Sequence, residues 1–167
     1  TAIMAICSWI SVSAGPVPFT LQTFAVFVTA ALLGTKRGTI AVVVYILLGI
    51  IGVPVFAGLT GGPSVIAGPT GGFIVGFILT AIIIGLLMNL TNGKSEVVKL
   101  VITVVAMVLG DVACFAIGTV WFMVVTNNTV AVALTYCVIP YIIPDIAKIV
   151  VATIIANRVK KYVQIFN

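Results

Sequence analysis

This 167-residue sequence has few charged residues and no histidine. Only 7% of its residues are charged, whereas soluble domains carry about 25%. Because histidine is the commonest metal ligand and proton shuttle, its absence removes the most frequent basis for metal or acid–base chemistry. Three cysteines without paired spacing give neither a disulfide framework nor a metal site. We therefore predict no catalytic residues, no metal and no cofactor.

Two further absences narrow the possible functions. The sequence contains no complete Gly-rich loop of the kind that cradles nucleotide phosphates, so any ATP that drives its activity must be bound by another polypeptide. It also lacks the roughly ten-residue alternation of apolar and polar positions that is typical of membrane β-barrel strands. A helical architecture is therefore favoured.

Apolar residues are what the sequence has in abundance. They make up 62% of the chain, with a mean hydropathy of +1.39, against about 45–50% in soluble domains. This composition predicts an integral membrane protein built from helices, each of which needs about 20 residues to cross the bilayer. We predict one integral membrane domain over residues 1–167, an all-α bundle of six transmembrane helices at about 1–12, 21–33, 39–52, 72–90, 97–125 and 131–156.

The basic residues predict which side of the membrane each loop faces. Six alternating spans place most of them on one side, in turns or at chain ends: Lys36, Arg37, Lys94, Lys99, Arg158, Lys160 and Lys161. By the positive-inside rule, both termini are then cytoplasmic. Since these residues set the topology of a multi-pass protein surrounded by lipid, we expect no nucleic acid as a partner.

Two loops on the opposite, outward side carry no Lys or Arg. The first loop, residues 13–23, contains Pro16 and Pro18 and is predicted to be extended. The second loop, residues 53–72, is rich in Gly and Pro and remains substantially apolar. A flexible linker in solvent would contain more polar residues, so this loop is predicted to fold back onto the protein as a lid.

The strongest functional signal is a pair of ionisable residues in the last apolar segment. Asp145 and Lys148 lie three residues apart, behind two prolines, and share a helix face with Tyr141. A charge at the centre of a membrane helix costs about 2.5–3.5 kcal/mol on insertion scales, so such residues are rare and usually functional. A pair that merely locks the helix in place is the weaker interpretation. Because a carboxylate only accepts hydrogen bonds and an ammonium only donates them, the pair suits a ligand that has both N–H groups and a carbonyl or carboxylate.

Asp111, in the middle of the fifth span, allows two interpretations. It either lines the same cavity as Asp145 or neutralises Lys148 when no ligand is bound. An alternative of a different class is an intramembrane aspartyl hydrolase in which Asp111 and Asp145 share a proton. Lys148 argues against that enzyme, because a neighbouring ammonium favours the charged carboxylate.

Five segments of the chain resemble the BioY family, the biotin-specific substrate-binding (S) components of energy-coupling factor (ECF) vitamin transporters. They are Val17–Thr23, Gly49–Phe56, Gly68–Phe77, Gly110–Asp111 and Pro140–Lys148. The segments occur in the family's order over nearly the whole chain, so the resemblance is more specific than any single motif.

The resemblance implies a six-helix bundle that binds biotin near the outer face of a prokaryotic plasma membrane. It also implies a transmembrane coupling subunit and two ATPase subunits as partners, with no enzymatic activity in this chain. Biotin's ureido ring presents two N–H groups and a carbonyl, and its tail ends in a carboxylate. We expect Asp145 to accept from the ureido N–H groups and Lys148 to donate to either the ureido carbonyl or the carboxylate.

The remaining predicted contacts concern the bicyclic ring and the tail of biotin. Tyr141 and Phe56 are expected to cover the ring, as in a mostly apolar pocket with few polar groups. The candidates for the tail are the side chains of Thr20 and Gln22 and the backbone N–H groups of Gly71 and Gly72. A helix N-terminus at the last two would favour a carboxylate. An S component for another vitamin is the nearest alternative, since a shared bundle can carry a different pocket.

Overall fold

Helices make up most of the chain in a computed structural model, which describes residues 1–12 and 15–165. The α-helices of that part are α1 (Ala2–Trp9), α2 (Gln22–Ile50), α3 (Pro63–Ala67), α4 (Gly71–Met88), α5 (Glu96–Thr126), α6 (Val130–Cys137) and α7 (Ile142–Ile165). Two short strands, β1 (Ser11–Val12) and β2 (Phe19–Thr20), pair antiparallel across the first loop. Ser13 and Ala14, predicted to lie in that loop, fall outside the described residues, as does the side chain of Lys161.

Four helical stretches are long and apolar enough to cross a membrane: Gln22–Ile50, Gly71–Thr91, Glu96–Thr126 and Val130–Lys160. Large apolar side chains cover their outer surfaces, and Ile143 and Val124 are 80% and 71% exposed in the isolated chain. A helix that is apolar on all sides is typical of a lipid environment. The prediction of a mostly helical membrane protein is therefore confirmed.

Helix α2 folds back on itself at Gly34. The backbone there has φ 72° and ψ −175°, a conformation that glycine adopts without the steric cost of a Cβ atom. The two halves pack closely, because a Cβ added at Gly38 would lie 3.1 Å from Cα of Ala30. The predicted spans 21–33 and 39–52 lie on either side of this bend. The turn predicted over Gly34–Gly38 is shorter in the structure, since helical conformation resumes directly after Gly34.

The last apolar stretch, predicted as one helix over 131–156, is interrupted in the structure. Helix α6 ends at Cys137, a single-turn helix covers Ile139–Tyr141, and α7 then begins at Ile142. Pro140 lies in the interruption. Pro144 is accommodated within the first turn of α7, because N–H groups in a first turn have no partner in the helix. The interruption therefore places the charged pair at the beginning of a helix.

Helix α4 packs against both α2 and α5 and so lies at the centre of the bundle. Near its C-terminal end, Gly85 approaches the α2 backbone at Thr35. This contact brings the basic residue Lys36 to the same end as Lys94, which follows α4. Lys160 of α7 is within electrostatic range of Lys99 at this end. The two apolar loops lie at the other end, where α4 begins.

Candidate functional site

A cavity of about 360 Å³ opens at the end of the bundle opposite the basic turns. Its wall comes from both apolar loops, the start of α2, the N-terminal half of α4, the middle of α5 and the junction of α6 with α7. Residues from all of these parts line it, among them Val17, Thr20, Gln22, Thr23, Phe56, Phe73, Phe115, Cys137, Tyr141, Asp145 and Lys148. A mostly apolar wall with a few polar groups is typical of small-molecule sites, whose volumes run from about 300 to 1,000 Å³.

Asp145 and Lys148 form a buried ion pair in the cavity wall. Oδ1 of Asp145 lies 2.6 Å from Nζ of Lys148, and their side chains are only 4% and 7% exposed. The ammonium of Lys148 thus holds this oxygen by a short charge-assisted contact. A carboxylate has two oxygens with about four acceptor positions in all, and the contact with Lys148 occupies one of them. Asp145 therefore keeps acceptor positions for an N–H group in the cavity.

Lys148 is held by two further groups that the sequence did not predict. Its Nζ donates to Oγ1 of Thr23 at 3.0 Å and lies 4.5 Å from the ring centre of Phe19. An ammonium has three N–H donors, so the contacts with Asp145 and Thr23 leave one donor for a ligand. Thr23 precedes Lys148 by 125 residues, and no local pattern links the two.

Asp111 does not line the cavity. It is buried on α5, one helical turn from Phe115, which does line the cavity. No ion pair between Asp111 and Lys148 forms within 4 Å, because Lys148 pairs with Asp145 instead. The structure thus shows neither of the two contacts predicted for Asp111, although its carboxyl group lies within electrostatic range of the pair.

Aromatic rings form a continuous row beside the charged pair. Tyr141 stacks on Phe19 with ring centres 6.2 Å apart and lies 6.4 Å from Phe115, which in turn meets Phe73 edge to face at 6.3 Å. These separations fall within the roughly 4.5–7 Å range of favourable aromatic pairs. The Tyr141 hydroxyl also donates a hydrogen bond to the carbonyl of Val17 in the first loop. Tyr141 therefore both lines the cavity and ties this loop to the junction of α6 with α7.

The second loop folds back onto the bundle, as predicted, and tryptophan side chains hold both of its ends. Nε1 of Trp9 donates to the carbonyl of Pro54 at 2.9 Å, and Nε1 of Trp121 donates to the carbonyl of Gly68 at 3.0 Å. Between them, Phe56 is 1% exposed and reaches the cavity wall. The loop therefore forms part of the cavity wall and is attached to the bundle at both ends.

Thr20 and Gln22 line the cavity and are hydrogen-bonded to each other, and Gln22 is also hydrogen-bonded to Tyr45 in the second half of α2. Oγ1 of Thr20 donates to Oε1 of Gln22 at 3.1 Å, and Nε2 of Gln22 donates to the hydroxyl of Tyr45. Both side chains are almost fully buried. They are thus oriented by the protein and not by solvent.

Gly71 and Gly72 do not line the cavity, whereas the preceding Thr70 does. The N–H of Gly71 already donates to the carbonyl of Gly68 at 3.1 Å. A Cβ at Gly72 would overlap Trp121. These glycines are needed for close packing, so the structure does not bring them to the place predicted for a ligand carboxylate.

An apolar cavity with one buried carboxylate–ammonium pair, set among membrane helices, defines a small-molecule-binding membrane protein. The profile of the BioY family matches residues 1–165. This chain belongs to the BioY family, and the resemblance inferred from its five segments is confirmed.

Similar proteins agree with this assignment. The biotin transporter BioY of Thermotoga maritima is 42% identical over 161 residues, which cover 96% of this chain and 91% of that protein. A probable biotin transporter BioY of Pyrococcus horikoshii is 38% identical, covering 95% and 90%. The crystal structure of an S component for biotin from an ECF-type ABC transporter superposes with a TM-score of 0.84 at 27% identity, covering 96% of this chain and 86% of that one. These relatives are transporters and not enzymes, so the hydrolase alternative has no support.

Proposed function

We propose that this chain is the biotin-binding S component of an ECF-type transporter. The observation that carries the proposal is the buried Asp145–Lys148 pair in the wall of an apolar cavity, within a chain of the BioY family. The remaining acceptor positions of the Asp145 carboxylate match the ureido N–H groups of biotin. The remaining donor of Lys148 matches either the ureido carbonyl or the carboxylate. Phe56 and Tyr141 supply apolar surface for the ring. Gln22 supplies an N–H donor for an acceptor oxygen of biotin, while the one hydroxyl hydrogen of Thr20 is donated to the Gln22 amide.

Biotin binding to the purified chain tests this function directly. Isothermal titration in detergent or nanodiscs is expected to show one biotin bound per chain, with no heat from thiamine or riboflavin. Binding of one of those vitamins in place of biotin would favour an S component of different specificity. The chain alone is expected to bind biotin without consuming it.

The proposed topology has six crossings with both termini in the cytoplasm of a prokaryotic cell. The crossings are α1, the two halves of α2, α4, α5 and the α6–α7 stretch, all in one integral membrane domain over residues 1–167. The bend at Gly34 and the clustering of Lys36, Lys94 and Lys99 at one end of the bundle support it. The cavity then faces outward. A transmembrane coupling subunit and two ATPase subunits supply the energy, since the sequence contains no nucleotide-binding motif.

Cysteine labelling is expected to place the two ends of α5 on opposite sides of the membrane. Helix α5 has 31 residues, so at about 1.5 Å per residue it is longer than the roughly 30 Å hydrocarbon core. In right-side-out vesicles, an impermeant maleimide should label Thr129→Cys at once and Lys94→Cys only after permeabilisation. Both native positions are exposed, whereas the chain's own cysteines are buried and give a low background. Labelling of both from one side would contradict six crossings.

Tyr141→Phe is expected to speed biotin dissociation several-fold. The change keeps the ring beside the cavity but removes the hydrogen bond to Val17, which is worth about 0.5–1.5 kcal/mol. With the first loop less firmly held, release should accelerate while the association rate stays within about twofold. Stopped-flow displacement of a fluorescent biotin derivative measures both rates. Tyr136→Phe is the matched control, because Tyr136 does not line this cavity. Equal dissociation rates in the two variants would contradict a role of the Tyr141 hydroxyl in slowing biotin release.

A further inference from the structure

Tyr45 lies behind the cavity wall at the end of a chain of buried hydrogen bonds. It is fully buried on α2 and does not line the cavity. Its hydroxyl donates to the carbonyl of Val55 at 2.8 Å and accepts from Nε2 of Gln22, whose Oε1 accepts from Thr20. The chain therefore joins the first loop, α2 and the second loop at one side of the cavity.

These bonds fix the orientation of the Gln22 amide. A hydroxyl has one hydrogen to donate, and a carbonyl can only accept. Because the Tyr45 hydrogen goes to Val55, Tyr45 can only accept from Gln22. The amide nitrogen must therefore face Tyr45, and the amide oxygen must face the Thr20 hydroxyl. The orientation of a glutamine amide is determined by such a network.

One polar hydrogen of Gln22 remains after these bonds are counted. The amide nitrogen has two N–H groups, of which Tyr45 takes one. Gln22 lines the cavity, and the second N–H has no hydrogen-bond acceptor among the described residues. The cavity wall thus holds an N–H donor whose direction is set by a residue outside the cavity.

We infer that Tyr45 is a positioning residue that aims an N–H of Gln22 at an acceptor oxygen of the bound substrate. The inference rests on the proposed function, in which that oxygen is the carboxylate or the ureido carbonyl of biotin. With its amide held in one orientation, Gln22 favours a substrate that presents an acceptor at this place and disfavours one that presents a donor.

The hydroxyl of Tyr45 can be removed without leaving the Val55 carbonyl unpaired. Oγ of Ser8 is within donating distance of both this carbonyl and the carbonyl of Ala5, and in Tyr45→Phe its one hydrogen can go to Val55. The ring of Tyr45 meets Phe56 edge to face at 5.6 Å, and a phenylalanine would keep this contact. The principal loss in Tyr45→Phe is therefore the partner that orients Gln22.

A double-mutant cycle tests the inference. Biotin affinity is measured by isothermal titration for the parent, Tyr45→Phe, Gln22→Ala and the double variant. We expect Tyr45→Phe to weaken binding by about tenfold and to have no further effect in the Gln22→Ala background. Ser8→Ala is the matched control, because it removes a hydroxyl beside the same Val55 carbonyl but keeps the bond between Tyr45 and Gln22. Its effect on affinity should stay within about twofold.

A second variant and two analogues complete the test. Gln22→Glu keeps the side-chain shape but replaces both N–H donors, so it must weaken biotin at least as much as Gln22→Ala. Biotin methyl ester and the thiocarbonyl analogue of biotin each alter one acceptor, and the analogue that abolishes the Tyr45→Phe effect identifies the oxygen. Parent-like binding by Tyr45→Phe, or a loss that persists in Gln22→Ala, would overturn the inference while leaving the proposed function intact. Failure of the parent to bind biotin would overturn both.

Discussion

Asp145→Asn is expected to weaken biotin binding by about 30-fold or more, equivalent to about 2 kcal/mol. The substitution replaces one carboxylate oxygen with an NH₂ group, which cannot accept from a ureido N–H. It also leaves the Lys148 ammonium, 7% exposed, without its counter-charge 2.6 Å away. Removing one partner of a buried ion pair costs more than replacing both partners with apolar residues, because the other charge stays buried without a counter-charge. Isothermal titration of the purified variant measures the change.

Lys148→Ala is expected to cause a loss of similar size, because it removes the remaining donor and leaves the Asp145 carboxylate alone in an apolar wall. Glu96 and Lys99 provide a matched control. They form the same i,i+3 ion pair at 2.9 Å on α5, but with side chains 81% and 27% exposed. Exposed pairs contribute about 0–1 kcal/mol, so Glu96→Gln and Lys99→Ala should leave biotin affinity within about twofold.

Thermal unfolding without ligand separates a binding defect from a folding defect in these variants. If Asp145→Asn and Lys148→Ala fold and both bind biotin like the parent, the proposed site is wrong, although the family assignment stands.

Biotin methyl ester distinguishes the two possible partners of Lys148. If Lys148 holds the carboxylate, Lys148→Ala should have little further effect on binding of the ester. If it holds the ureido carbonyl, the two losses should add.

The charged pair could be predicted because its signal is local and energetically expensive. Asp145 and Lys148 share a helix face by spacing alone, and nothing in an apolar segment explains them except pairing or a ligand. The structure places both, with Tyr141, in one cavity wall. The apolar character of the second loop was informative for the same reason, since a loop without charge must bury itself against the protein.

Contacts between distant segments could not be predicted in this way. Thr23 meets Lys148 across 125 residues, and Gln22 meets Tyr45 only because α2 bends at Gly34. A tyrosine within an apolar run is ordinarily core packing, so nothing in the sequence distinguished Tyr45. The proposed role of Tyr45 depends on the hydrogen-bond partners of its hydroxyl, and only the tertiary structure determines those partners.

Gly71 and Gly72, two of the residues predicted for the tail, lie outside the cavity lining for a specific physical reason. A helix N-terminus attracts anions only where its N–H groups are free and accessible. At the start of α4, the N–H of Gly71 is occupied by Gly68, and Gly72 packs against Trp121. Glycine in such a motif therefore reflects close packing. The same reasoning applies to Gly49, where the neighbour is a residue of the cavity wall.

Gly49→Ala is expected to destabilise the fold by about 1–3 kcal/mol and to weaken biotin binding, because the new methyl group would occupy the place of the Phe56 ring. Phe56 is 1% exposed between Gly49, Tyr45 and the cavity, so its ring has no free space except the cavity itself. This contact joins the first and last residues of one of the segments that resemble the family, Gly49–Phe56. Thermal unfolding and isothermal titration measure the two effects.

A compensating substitution shows whether the ring is the cause. Phe56→Leu alone is expected to weaken binding by removing apolar surface from the wall, yet in the Gly49→Ala background it should restore part of the stability by making room for the methyl group. Gly110→Ala is a milder comparison, since the atoms nearest its added Cβ would be in the side chains of Thr80 and Ile84, at 3.0 and 3.2 Å, and the Thr80 carbonyl at 3.3 Å. If the double variant is no more stable than Gly49→Ala, the glycine is required for a reason other than the ring. If stability recovers but affinity does not, Phe56 contributes to the ligand surface independently of its packing on α2.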